Sequence, residues 1–257
     1  DVGDKVREWI QKKQVTGINV DEDSKRYYPN RNLAAHIIGF TRVDNVGIYG
    51  IERIMENELK GVPGKILSEV DAGGSELPFS EEKYIKPHDG LNVVLTIDET
   101  IQYFAEKALD NAMQEHNVQN GGVAIVMDPR NGDILALVSK PDYDLNDPRA
   151  FPEGIEGLDP TNWTGYSTED VKVLSETVWR NKAVEDTYEP GSTFKAITAA
   201  AGLEEGVVTP ESPVNDFTVK IAGYNIDCWK PNAHGNETFR EGVYNSCNPV
   251  FVRVAQS

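Results

Sequence analysis

Apolar residues in the N-terminal part of the chain recur at the spacing of amphipathic helices. Between Asp4 and Gln14, and again between Gly50 and Lys60, apolar side chains return every three or four positions and so share one helical face. Short strand-like runs follow, and one of them, Ile66 to Val70, precedes a Gly73-Gly74 turn. Helices combined with short strands predict an α+β module over residues 1–86.

A second domain is predicted at residues 87–257, beginning with the turn-forming segment Pro87 to Gly90. The apolar run from Asn92 to Ile97 predicts a strand. Asp98 then provides a favourable N-cap for a long helix with apolar residues at helical spacing.

A hairpin is predicted next, since the apolar runs at 123–127 and 134–138 flank Asn131-Gly132, a strong signal for a tight turn. The polar residues from 141 to 186 predict a long, partly ordered connection. A helix packed on a sheet that this hairpin begins is expected.

Composition and charge fit a globular protein and exclude one class of partner. The chain has 257 residues, 39% of them hydrophobic, which suits two modest domains. Its formal net charge of −17 argues against nucleic acid, whose phosphates would be repelled. We find neither a signal-peptide pattern nor an apolar run of membrane-spanning length, about 18 residues.

Candidate chemistry appears first at Ser192-Thr193-Phe194-Lys195. A Ser-X-X-Lys spacing puts the two side chains one helical turn apart, so that the amine can take the proton of the hydroxyl. This serine opens an Ala-rich apolar run that ends at Gly206, which predicts a buried helix with Ser192 at its N-terminus. A serine that merely caps the helix would look the same locally.

A second motif, Ser246-Cys247-Asn248, follows in the order known for penicillin-binding proteins and class A β-lactamases. Taken alone, Ser246 is better interpreted as a helix cap and Asn248, before Pro249, as a turn residue.

With the flanking Glu189-Pro190-Gly191, these motifs resemble the transpeptidase domain of class B penicillin-binding proteins. The N-terminal strings 25–29, 33–40 and 47–52 resemble the pedestal, a dimerisation-type domain, that precedes it. The likeness covers nearly the whole chain and is greatest to the clostridial and bacillar group that contains stage V sporulation protein D. It implies an α+β pedestal followed by the N-terminal part of a β-lactamase-like α/β domain, with helices packed on an antiparallel sheet.

The third motif of that family, Lys-Thr-Gly or Lys-Ser-Gly, does not occur in this sequence. We therefore expect the chain to be the N-terminal portion of a longer protein, inactive alone. The resemblance also implies an N-terminal membrane anchor, absent from this chain, and a location on the extracytoplasmic face of the bacterial membrane.

The resemblance implies D-Ala-D-Ala transpeptidation of peptidoglycan stem peptides, with β-lactams as covalent inhibitors. Ser192 would be the nucleophile, Lys195 its base, Ser246 a proton relay and Asn248 a substrate-binding residue. No cofactor is required for catalysis, and a membrane glycosyltransferase is the expected partner.

Two other functions stay open: a β-lactam-sensing receptor domain, and a non-catalytic scaffold of the cell-wall machinery. A sensor would not need the pedestal strings, which favours the enzyme.

The two cysteines, Cys228 and Cys247, allow three interpretations. They form a disulfide, stay free, or bind a metal. In the metal interpretation, Cys228, His234 and Cys247, with Asp227 as a fourth ligand, would hold a structural Zn²⁺, although the spacing is not a standard zinc pattern.

Overall fold

A computed structural model describes residues 2–18, 20, 24–67, 83–155 and 157–257. The chain divides into two compact units, Asp1–Asp186 and Thr187–Ser257. The boundary at residues 86 and 87 stays a prediction. The Gly73-Gly74 turn lies outside the described residues.

The first unit contains seven α-helices and four strands among its described residues. The helices are α1 Val2–Lys13, α2 Ala35–Ile38, α3 Gly50–Ile54, α4 Glu56–Leu59, α5 Glu99–Glu115, α6 Thr168–Glu176 and α7 Lys182–Glu185. The strands are β1 Lys65–Leu67, β2 Lys83–Ile85, β3 Gly122–Met127 and β4 Ile134–Lys140, and they pair as antiparallel β1-β2 and β3-β4.

The predicted long helix and hairpin are confirmed, and they pack on each other. Asp98 caps α5 by accepting a hydrogen bond from the backbone N–H of Ile101 at 2.9 Å. From α5, the buried Gln102 side chain bonds to both backbone groups of Leu137 on β4. A buried amide that is fully paired fixes the position of the helix along the strand.

The core of the first unit combines residues from the N-terminal segment with residues that follow the hairpin. Phe40, Tyr143, Leu174 and Trp179 pack in one buried cluster. Beside it, the Asn146 side chain accepts a hydrogen bond from Tyr28 N and donates one to Tyr28 O, at 3.0 and 2.7 Å. Apolar burial and paired polar groups together join the N-terminal segment to the hairpin region.

The second unit contains three α-helices and two small antiparallel sheets. The helices are α8 Lys195–Glu204, α9 Phe239–Tyr244 and α10 Asn248–Gln256. The strands are β5 Pro213–Asn215, β6 Val219–Ile221, β7 Tyr224–Ile226 and β8 Asn236–Thr238, paired as β5-β8 and β6-β7.

Helices α8 and α10 approach closely because a glycine lies at their contact. A Cβ atom added at Gly202 of α8 would lie 2.7 Å from Val254 Cγ1 of α10, closer than atoms can pack. Val250, Phe251 and Val254 of α10 belong to the buried cluster of this unit. This packing holds the start of α8 next to the loop that precedes α10.

Three predictions of local structure need correction. The segment from Asn92 to Ile97 is not a strand, since no strand among the described residues pairs with it. The predicted helix from Gly50 to Lys60 is divided into α3 and α4 at Met55. Helix α8 is not buried on all sides: Ala199 and Gly202 pack against the buried cluster that contains residues of α10, whereas Ile197 and Leu203 are 60% and 45% exposed. Within the described residues, no helix is long and apolar enough to cross a membrane.

Candidate active site

Ser192 lies in a single 3₁₀ turn, Gly191–Phe194, that leads directly into α8. Gly191 has a φ of 61°, a left-handed conformation that glycine adopts without steric cost. The Thr193 hydroxyl donates to the carbonyl of Pro190 at 2.7 Å and closes the turn. The exposed Ser192 hydroxyl is therefore held at the N-terminal end of the helix, where free N–H groups can stabilise a nearby oxyanion.

Lys195, the first residue of α8, contacts the second motif. Its ammonium donates to the Ser246 carbonyl oxygen at 2.6 Å and lies 3.0 Å from the Ser246 hydroxyl oxygen. It also lies 5.5 Å from the centre of the Phe251 ring. Within the described part of the chain its hydrogen bonds go to Ser246, and none joins it to Ser192; catalytic hydrogen bonds often form only when substrate binds.

Burial lowers the pKa of Lys195 from its ordinary value. The opposing effect of the neighbouring Cys247 and Cys228 thiols on the pKa is smaller. Desolvation penalises the ammonium and favours the neutral amine. A neutral amine is the form that can accept a proton from a serine hydroxyl.

The loop that carries Ser246 connects α9 to α10. Ser246 has a φ of 51°, in the left-handed region that a residue with a side chain rarely adopts. Asn245 is the C-cap of α9, and Asn248 is the exposed first residue of α10, followed by Pro249. This left-handed residue turns the chain between the helices, with the Ser246 hydroxyl directed to Lys195.

Four potential metal ligands lie together beside this loop: Asp216, Cys228, His234 and Cys247. Their ligand atoms all lie within 4.8 Å of one another. The two sulfur atoms are 3.9 Å apart, and both cysteines are free, because a disulfide requires about 2.05 Å. Two sulfur atoms, one imidazole nitrogen and one carboxylate oxygen form a donor set that suits tetrahedral Zn²⁺.

Asp216 is fully buried at the centre of this cluster. One of its oxygens lies 2.9 Å from His234 Nδ1, and the carboxylate accepts hydrogen bonds from the backbone N–H groups of His234 and Gly235, both at 2.8 Å. Burial alone would raise the pKa of Asp216. Hydrogen bonds from the Cys228 thiol and from these N–H groups outweigh burial and hold the pKa below its ordinary range. The carboxylate is therefore ionised and able to bind a cation.

Cys247, also fully buried, has its pKa raised by burial and by the neighbouring Cys228 and Glu237. Without an ion, this environment therefore favours the neutral thiol. A bound cation would reverse that preference, because metals bind the thiolate.

The expected fourth ligand, Asp227, is not in the cluster. Its carboxylate accepts a hydrogen bond from the Thr218 hydroxyl at 2.6 Å. Asp227 and Cys228 are adjacent in sequence, but only Cys228 contributes a ligand atom to the cluster. Asp216 is the fourth potential ligand instead of Asp227. Sequence spacing does not predict Asp216, because the pairing of β5 with β8 brings this residue beside His234.

Comparisons with known proteins agree with the motifs. Residues 122–257 match the family described as "Penicillin binding protein transpeptidase domain", and residues 4–95 match "Penicillin-binding Protein dimerisation domain". Stage V sporulation protein D of Bacillus subtilis is 36% identical over 96% of this chain and 35% of its own length. Peptidoglycan D,D-transpeptidase FtsI of Escherichia coli is 31% identical over 95% of this chain and 37% of its own.

Among solved structures, PBP2 of Pseudomonas aeruginosa in complex with WCK 5153 superposes with a TM-score of 0.62 at 27% identity, covering 92% of this chain and 48% of the other. The chain thus spans little more than a third of the length of these curated relatives. The matched family covers more than half of the chain and contains both motifs. The chain therefore belongs to the penicillin-binding proteins, with a dimerisation domain followed by transpeptidase-domain sequence.

Proposed function

We propose that the protein cross-links peptidoglycan by serine acyl transfer, using the D-Ala-D-Ala end of a stem peptide as acyl donor. The observation that carries this proposal is the contact between Lys195 and Ser246, beside the helix start that bears Ser192. Membership of the penicillin-binding proteins supports the choice of substrate. The names of relatives such as peptidoglycan D,D-transpeptidase FtsI support it as well.

In the first step, neutral Lys195 accepts the proton of the Ser192 hydroxyl as the serine oxygen attacks the penultimate D-alanine carbonyl. The backbone N–H of Ser192 donates to the oxyanion that forms. When the C–N bond breaks, the terminal D-alanine leaves with a proton returned from Lys195 through the Ser246 hydroxyl. An ester on Ser192 remains. The amine of a stem peptide on a neighbouring peptidoglycan strand attacks this ester, which forms the cross-link and regenerates the serine hydroxyl.

Asn248 is proposed to bind the peptide backbone of the donor through its exposed side-chain amide. β-Lactams would enter as mimics of the donor and leave a stable ester on Ser192. A membrane glycosyltransferase that supplies glycan strands is the proposed partner, and membrane anchoring on the extracytoplasmic side would give access to them.

We expect these residues alone to acylate slowly, because the Lys-Thr-Gly motif that would supply the second oxyanion donor is not among them. Loss of one such donor typically reduces the rate about 100-fold or more.

The test is to incubate the full-length gene product with a pentapeptide donor and an amine acceptor, and to measure released D-alanine and cross-linked product. We expect both, in equal amounts, and neither from the Ser192→Ala variant. Acylation by penicillin without any peptide transfer would favour the β-lactam receptor. A Ser192→Ala variant that still releases D-alanine would contradict the proposed nucleophile.

We also propose that Asp216, Cys228, His234 and Cys247 hold a structural Zn²⁺, with no part in bond breaking. The donor chemistry and the separations of the ligand atoms support this. Since Cys247 directly follows Ser246, the ion would fix one end of the catalytic loop. Ion binding would therefore stabilise the fold around the active site.

Elemental analysis of protein purified without chelator tests this proposal, together with a thiol count after denaturation. One zinc per chain with two titratable thiols is the expected result. Two thiols without zinc would contradict the metal site, and no titratable thiol would indicate a disulfide instead.

A further inference from the structure

Asn245, the residue before Ser246, is held from two directions. The indole N–H of Trp229 donates to the Asn245 backbone oxygen at 2.7 Å. The Asn245 side-chain N–H donates to a Glu237 carboxylate oxygen at 2.8 Å. Trp229 follows Cys228 in sequence and Glu237 belongs to β8, so two separate segments converge on one residue of the catalytic loop.

Burial does not explain the position of Trp229, whose surface is 68% exposed. Its other ring contact is an edge-type contact with His234, with the ring centres 5.6 Å apart. A tryptophan that served only the core would bury its ring, whereas this one leaves most of the ring in solvent and directs its N–H to the loop. The hydrogen bond to Asn245 is therefore the contact that gives Trp229 a role.

Ser246 is in the left-handed conformation. That conformation is unfavourable for a residue with a Cβ, and two hydrogen bonds at the end of α9 stabilise it here: Ser246 N–H donates to the Val243 carbonyl and Cys247 N–H to the Gly242 carbonyl, both at 3.1 Å. Lys195 also donates to Ser246, at the atom that would exchange protons in the proposed reaction. Contacts to Asn245 can stay in place throughout.

We propose that Trp229 and Glu237 are positioning residues for the Ser246 hydroxyl. By fixing Asn245 through its carbonyl and its side-chain amide, they hold the residue before Ser246 in place and so keep the Ser246 hydroxyl beside Lys195. The inference rests on the proposed function, since it assigns these residues a role in acylation of Ser192.

The test separates binding from acylation. Stopped-flow labelling of the full-length protein with a fluorescent penicillin gives the dissociation constant of the initial complex and the acylation rate constant. For Trp229→Phe, which keeps an aromatic ring but loses the N–H donor, we expect the rate constant to fall about fivefold to tenfold, as for the loss of one hydrogen bond. The dissociation constant and metal content should stay unchanged.

Two variants of Glu237 test the hydrogen bond from the Asn245 side chain. Glu237→Gln keeps an oxygen acceptor for this bond, and Glu237→Ala does not. We expect the glutamine variant to acylate at nearly the unsubstituted rate and the alanine variant to be slow. Tyr224→Phe, at a 75% exposed aromatic residue of the same unit, is the matched control and should leave the rate unchanged.

An unchanged acylation rate constant in Trp229→Phe would overturn this inference but not the proposed function. So would a loss that appears only in the dissociation constant, or one accompanied by loss of metal. No acylation of the unsubstituted protein would instead overturn the proposed function, and the inference with it.

Discussion

The ammonium nitrogen of Lys195 lies 3.0 Å from the hydroxyl oxygen of Ser246, although 51 positions separate the two residues in sequence. The contact arises because α8, which begins at Lys195, packs against α10, which begins two residues after Ser246. Gly202 permits the close approach of these helices. The contact between these two candidate catalytic residues thus depends on helix packing about two turns away from either side chain.

The charge state of Lys195 should control the rate of acylation. Because burial lowers its pKa, the neutral base is populated at lower pH than in an ordinary lysine, and the acylation rate should rise with pH through this lowered pKa. Lys195→Arg remains charged and should acylate about 100-fold or more slowly, without that rise. A pH–rate profile of both proteins with a fluorescent penicillin measures this. A normal rise in the arginine variant would exclude Lys195 as the base.

Two aspartates distinguish the observed cluster of potential metal ligands from the ligand set expected from sequence. Asp216→Asn should lose zinc and lower the melting temperature, because it removes an ionised ligand at the buried centre of the cluster. Asp227→Asn should retain zinc, since its carboxylate binds Thr218 and lies outside the cluster. Zinc content and thermal unfolding of both variants, with and without a chelator, test this. Zinc loss from Asp227→Asn alone would favour the sequence-based ligand set.

The buried cluster of the first unit should be sensitive to cavities. Leu174 is 1% exposed among Phe40, Tyr143 and Trp179, so Leu174→Ala should lower the free energy of unfolding by about 2–5 kcal/mol. Leu91, 68% exposed in the same unit, is the control, and Leu91→Ala should change it by about 0.5 kcal/mol or less. Urea unfolding measures both. Equal changes in the free energy of unfolding for the two variants would contradict the assignment of this cluster as the core of the first unit.

His36 should make the first unit sensitive to acid. Burial lowers its pKa from the ordinary 6.5, and in the neutral form its Nε2–H donates to the Val178 carbonyl at 2.8 Å. As pH falls from 6.5 through the lowered pKa, the unfolded chain binds the proton first, so the free energy of unfolding decreases with falling pH. The free energy of unfolding of His36→Gln should therefore fall less than that of the unsubstituted protein between about pH 7 and pH 5. Thermal unfolding across this range tests the difference, and identical losses would contradict it.

Local signals in the sequence were sufficient for elements whose determinants are close together. Asp98 marked the start of α5, and Asn131-Gly132 marked the turn between β3 and β4. The strand predicted from the apolar run Asn92 to Ile97 was wrong, because a strand depends on a pairing partner that the local sequence does not specify.

The sequence predicted those parts of the candidate site whose residues lie close together in one motif. It did not predict contacts between residues that only the fold brings together. The spacing of Ser192 and Lys195 reflects one helical turn, whereas the contact between Lys195 and Ser246 needs the packing of α8 on α10. Asp216 could not be found from spacing, because strand pairing brings it to His234 across 18 positions. The contacts of Trp229 with Asn245 likewise became visible only in the structure.

The most direct test of the central claim is to identify the residue that penicillin labels. The full-length protein is treated with penicillin, digested with trypsin and analysed by mass spectrometry, with Ser192→Ala in parallel. We predict a single adduct on Ser192 and none in the variant. An adduct on another serine, or undiminished labelling of Ser192→Ala, would contradict the account.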